Sequence, residues 1–85
     1  MSKQDLLPLG SIVILKDSDI KLMIFGRVQR AKMTNEPYDY TACFWPEGNL
    51  SVDHTFLFNH EHIETVIHRG YSDDEDAAYL KTLTG

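Results

Sequence analysis

Tyr38-Asp39-Tyr40-Thr41-Ala42-Cys43-Phe44-Trp45-Pro46-Glu47-Gly48-Asn49 decides how the chain reads, because it holds four of the nine aromatic residues and ends in turn chemistry. Successive side chains of a strand point to opposite faces, so Tyr38, Tyr40, Ala42 and Phe44 share one face and Asp39, Thr41, Cys43 and Trp45 the other. Aromatic and β-branched residues suit a pleated, half-buried surface. Pro46 then removes a ladder N–H and Glu47-Gly48-Asn49 reverses the chain. The stretch is therefore expected to be the central strand, with a reversal over 46–49.

Working back from it, Ile20 to Arg30 is a strand interrupted at Gly26, where a bulge or tight bend would curl the sheet. Asp17-Ser18-Asp19 joins it as a hairpin to a strand over Ser11–Lys16, whose apolar run Ile12-Val13-Ile14-Leu15 follows a bend at Gly10. Residues 1–9 read as a flexible lead carrying the hydrophobic anchor Leu6-Leu7-Pro8-Leu9. Arg27, Arg30 and Lys32 read as a solvated hairpin end. Working forward, His54–Phe58 and Ile63–His68 complete five strands, with a helical turn over His60-Glu61-His62 capped by Asn59. Phe56 and Phe58 share a face with Leu57 on the other, and Ile63, Val66 and Ile67 are the core candidates of the last strand.

Gly70 ends the last strand, and Ser72-Asp73-Asp74-Glu75 is a Ser-x-x-Glu capping box that starts a helix at 73. Ala77, Leu80 and Leu83 form its apolar stripe, with Tyr79 four residues before Leu83. About eleven residues make a helix too short to hold alone in water, so it must dock on its own sheet or on a partner. The expected organisation is a lead over 1–9, a β domain over 10–70 and a capped acidic helix over 71–85. The fold class is mainly β (α+β): a small five-stranded antiparallel SH3-like or split barrel with one C-terminal helix.

Composition restricts the function classes. At 85 residues and 42% hydrophobic the chain is one globular domain. Its net charge of −5 repels nucleic acid and anionic membranes at long range and favours basic partners. No apolar run reaches signal-peptide or membrane-span length, so a cytoplasmic location is expected, and the lone Cys43 reads as a reduced packing residue.

Catalysis wants a nucleophile with a base and an oxyanion hole, or two facing carboxylates, and the spacing sets up neither. No catalytic residue and no cofactor is expected. His54, His60, His62 and His68 with Glu61 and Glu64 are ordinary zinc-ligand types. Even so, His60 and His62 point to opposite faces if extended and lie about 200° apart if helical, which is poor spacing for one ion. Among the aromatics, Tyr40 and Phe44 read as core, whereas Trp45 beside Pro46 is a candidate for an exposed recognition surface.

Four blocks, Leu6–Lys16, Lys21–Arg27, Tyr38-Asp39-Tyr40 with Pro46-Glu47-Gly48-Asn49, and Phe56–Ile63, together resemble a bacterial family known as domain of unknown function four-one-seven-six. The order and spacing of the blocks carry the resemblance, which extends through Arg69-Gly70-Tyr71 into the acidic tail. That family occurs in type VII secretion loci of Gram-positive bacteria, beside LXG-type toxins and WXG-like small helical proteins. The resemblance implies a non-catalytic cytosolic adaptor or chaperone that binds a toxin before export. Cys43-Phe44-Trp45 and His62 depart from the pattern, where a tyrosine and an acidic residue are expected, and this puts partner specificity in doubt. On this reading the partner-binding residues are Trp45, Tyr79, Leu80, Leu83, Asp73, Asp74, Glu75 and Asp76, the four acids attracting a basic surface and the leucines holding it. The alternative is a small ligand- or metal-binding regulator using the His54–His68 segment.

Overall fold

The computed structural model describes residues 6–84. Strands β1 (Ile12–Leu15), β2 (Lys21–Arg30), β3 (Pro37–Phe44), β4 (Thr55–Phe58) and β5 (Ile63–His68) form one antiparallel sheet in the order β4-β3-β2-β1-β5. Single 3-10 turns over Val52–His54 and His60–His62 flank β4, and helix α1 spans Asp74–Thr84. The expected mainly β fold of five antiparallel strands and one C-terminal helix is what the structure shows, with the sheet left open at β4 and β5. The central strand is β2, not β3. Ten residues long, β2 offers an edge to both β1 and β3, while the eight-residue β3 lies between it and the short β4.

The turns form where the sequence places them. Asp17 takes φ 63° in the β1–β2 turn, and the N–H of Ser18 donates to Leu15 O at 3.2 Å. After β3 the Trp45–Pro46 peptide is cis, and the Gly48 N–H returns to Phe44 O at 2.8 Å. In β2 the register with β3 slips between Ile24 and Gly26, leaving Phe25 as an extra residue. A one-residue bulge exchanges the two faces beyond it. Ile24 and its partner Ala42 face the core, and after the slip Arg27, opposite Tyr40, faces the core as well. Arg27 is 6% exposed, so its expected place at a solvated hairpin end is corrected. The bulge turned the residue inward.

The core lies on one face of the sheet, where Val13, Leu22, Ile24, Tyr40, Ala42 and Phe58 pack together. Leu6 and Leu7 lie over them and are themselves buried, so the hydrophobic anchor is part of the core; residues 1–5 of the expected lead lie outside the described residues. Gly10, at φ 88°, turns this segment into β1 and donates its N–H to Ile24 O at 2.8 Å. Leu80 of α1 packs against the same cluster. Two core expectations are corrected: Val66 and Ile67 are 44% and 47% exposed, because β5 is an edge strand with one neighbour only.

The helix begins one residue later than expected and with a different cap. Asp73 Oδ1 accepts the N–H of Asp76 at 2.9 Å, and Asp73 O accepts the N–H of Ala77, so the cap is Asp73 and not Ser72. An ion pair fixes the orientation: Arg27 Nη2 donates to Asp76 Oδ1 at 2.6 Å, with Nη1 at 3.4 Å from Oδ2. The half-buried stripe consequently runs through Asp76, Leu80 and Leu83, while Ala77 is exposed.

Candidate functional site

With the core face covered by Leu6, Leu7 and α1, the other face of the sheet is the natural place to look for a site. Its side chains follow from the register. His68, Ile12, Met23, Cys43 and Thr55 are successive cross-strand partners, one row running across all five strands. Antiparallel sheets with one covered face normally turn polar side chains to water on the other. Here much of the outer row is apolar. Cys43 is fully buried within it, and burial pushes its thiol pKa up, which keeps it protonated and unreactive.

At one end of this row is a groove of about 440 Å³ lined by Ile12, Met23, Trp45 and Ile67, with Lys21 and His68. Trp45 follows β3 directly, and its N–H donates to Lys21 O at 3.1 Å, which holds the indole beside β2 as the chain enters the turn. Trp45 is 45% exposed, so the indole offers a large rigid surface to solvent. Sequence reasoning marked Trp45 but assigned Ile67 to the core and read Met23 only as part of an apolar run. The signal was available in β2, where Leu22 and Ile24 alternate with Met23 and Phe25. Apolar side chains on both faces of one strand mean that both faces of the sheet are greasy.

The other marked residues fall elsewhere. Trp45 lies on the outer face, whereas α1 meets the core face through Asp76 and Leu80, so the structure does not bring Trp45 together with the helix residues. Tyr79 is exposed beside a small hollow of about 200 Å³ that Leu9 and Phe25 also line. Leu80 and Leu83 are half-buried. Asp73 caps the helix and Asp76 is bonded to Arg27, leaving Asp74 and Glu75 as the exposed acids of the four.

Three of the histidines make side-chain hydrogen bonds. Tyr40 Oη lies 2.6 Å from His60 Nδ1 and also accepts the Leu7 N–H at 2.9 Å. Burial raises the Tyr40 pKa, partly offset by the Leu7 bond, so the phenol keeps its proton. His62 Nδ1 accepts the Asn59 N–H at 3.1 Å, and His54 Nδ1 is 2.8 Å from Ser51 Oγ. Among the described residues no three His, Cys, Asp or Glu side chains converge on a point that would hold a metal ion. Likewise, no helix among them is long and apolar enough to cross a membrane.

No curated protein and no solved structure matches the chain. A family model does, that of a domain of unknown function, over residues 6–79, from the buried Leu6 to Tyr79 of the helix. That span takes in every strand, the Trp45 groove and the start of the docked helix, and the chain belongs to this family, DUF4176.

Proposed function

We propose that the chain is a non-catalytic protein-interaction module, a cytosolic adaptor or chaperone that holds an LXG-type toxin before type VII export in a Gram-positive bacterium. A WXG-like small helical protein is the second partner of the same class. One observation carries the reading: the outer face of the sheet has an apolar groove at which Trp45 and Ile67 are 45% and 47% exposed. Apolar surface of this kind gains free energy when another protein covers it, at roughly 25 cal/mol per Å² before the costs of association. The secretion context comes from the resemblance of the sequence blocks.

The test is co-expression of the chain with an LXG-type toxin. A stoichiometric complex that survives size-exclusion chromatography is expected, and Trp45→Ala should weaken it by roughly 2 kcal/mol, as for a central aromatic anchor. The variant's melting temperature should stay close to the parent's, since the indole is only half-buried. Absence of any complex, or a complex indifferent to Trp45, overturns the proposal.

A further inference from the structure

The charges on the outer face are sorted against the average of the chain. Acids outnumber Lys and Arg by thirteen to eight. The Trp45 groove nevertheless has Lys21 and His68 in its lining and no carboxylate. A second hollow, also about 440 Å³, is lined by Phe25, Thr41, Val52 and Leu57 together with Arg30 and Lys32, again with no carboxylate. Thr41, opposite Gly26 and Leu57, lies on the outer face, so this hollow is on the same side of the sheet as the first. Met23 lines one and Phe25 the other, two residues apart on β2, or about 6–7 Å. One short segment can therefore reach both.

These cations are not neutralised internally. Among the described residues the ion pair is Arg27–Asp76, on the other face; Lys21, Arg30 and Lys32 are exposed and face no carboxylate within salt-bridge distance. The guanidinium of Arg30 donates to Asn35 O at 2.9 Å, which orients it without cancelling its charge. Asp73 to Asp76 cluster at the start of α1, which packs on the core face. The linings of the two outer-face hollows thus carry cations and no carboxylate, against the sign of the chain as a whole.

We propose that the outer face binds an acidic, apolar segment of a partner protein, its apolar side chains in the Trp45–Ile67 and Phe25–Val52 hollows and its carboxylates against Lys21, Arg30 and Lys32. The inference rests on the protein-interaction reading above and reverses the partner charge that the net −5 implies, because a partner meets the local potential of the face it covers. A polynucleotide would also bring negative charge. Trp45 and Phe25 offer one large ring per hollow among Ile12, Met23, Ile67, Val52 and Leu57, not a run of stacking platforms, and the overall negative charge opposes a polyanion more than a short peptide.

Trp45 is the single tryptophan of the chain, so its fluorescence reports occupancy of the groove directly. The full chain is titrated with three synthetic 15-residue peptides that share their leucines and phenylalanines and carry Glu, Gln or Lys at the remaining positions. A single-stranded oligonucleotide is titrated in parallel. The expected result is a blue-shifted, saturable signal with the Glu peptide, at least tenfold weaker binding of the Gln peptide, and none of the Lys peptide. Lys21→Glu and the pair Arg30→Glu with Lys32→Glu should each weaken the Glu peptide about tenfold or more and flatten its salt dependence, with unchanged melting temperatures. Preference for the Lys peptide, tighter binding of the oligonucleotide, or no response to any peptide overturns the proposal. The toxin complex separates the two claims: if it forms and depends on Trp45 but ignores the charge reversals, this inference fails while the function stands. If no toxin complex forms while the Glu peptide binds as expected, the function fails and the charge preference of the face stands.

Discussion

Tyr40 is a buried phenol whose oxygen accepts from Leu7, thirty-three residues away, and shares a hydrogen bond with His60, twenty residues away. Tyr40→Phe keeps the ring against Phe58 but leaves the Leu7 N–H without its acceptor in the interior, and should cost about 1–3 kcal/mol in chemical denaturation. A change below about 0.5 kcal/mol would mean that water reaches the amide. The ring's place in the core was legible from the alternation of β3; its hydrogen bonds were not, since they join residues distant in the sequence. Arg27 shows the same limit in a different form. Gly26 announces a bulge, but only the register reveals that the bulge exchanges faces and carries a guanidinium inward. Cys43, buried on the outer row with its thiol pKa pushed up, should react with a thiol reagent at neutral pH far more slowly in the native chain than in denaturant. Equal rates would show that the outer row is open to solvent.

At the scale of the element, α1 depends on one carboxylate. The hydrogen bonds from Arg27 hold the Asp76 carboxyl below the usual carboxylate range, burial opposes them, and the Ser72 hydroxyl and the charge of Arg27 add to the lowering. A folded-state pKa depressed in this way contributes stability that is present above the unfolded value, near ~3.9, and is lost as pH falls through the lower folded value. Asp76→Asn should therefore lower stability at neutral pH by about 3 kcal/mol, because it leaves Arg27 buried without a counter-charge. The deficit should begin to shrink as pH drops below about 4 and close as pH falls through the lower folded value, where the parent carboxylate takes up its proton. A deficit constant across that range would show that the ion pair is not its source. Arg27→Met combined with Asp76→Leu should recover most of the loss, as apolar replacement of both partners often does. The existence and length of the helix were legible from its acidic start and leucine spacing. The cap was misplaced by one residue because two overlapping Ser/Asp-x-x-acid patterns compete there, and the choice between them is made by Arg27, a residue outside the helix.

For the molecule as a whole, five strands and a helix could be read because each turn carries its own chemistry: Asp17-Ser18-Asp19, Pro46 to Gly48, Asn59, Gly70. The order of strands and the exposure of the outer face could not, since an apolar residue carries no mark of whether its own chain will cover it. Ile67 and Val66 look like core residues but lie on the edge strand β5, where both are exposed. Gly70 closes the arrangement: its N–H donates to Ser11 Oγ at 3.0 Å, and an added Cβ would overlap the carbonyl of Leu9. Gly70→Ala should consequently lower the melting temperature more than Ala at any exposed position of α1, and a neutral result would show that the Leu9–Gly70 approach is dispensable.

That approach also has a meaning in time. A growing polypeptide exposes Leu6 and Leu7 early, yet the residues that enclose and fasten their segment, Tyr40, Gly70 and Asp76-held Arg27, are added much later. Until the ribosome has released β5 and the start of α1, β1 lacks one of its two neighbours and the two leucines have no finished cover. Nascent chains arrested between β4 and β5 should therefore remain protease-sensitive and sticky, then become resistant in one step once residues 63–80 have emerged. A protein proposed to hold a toxin before export would itself pass through a stage of synthesis in which its own core needs cover.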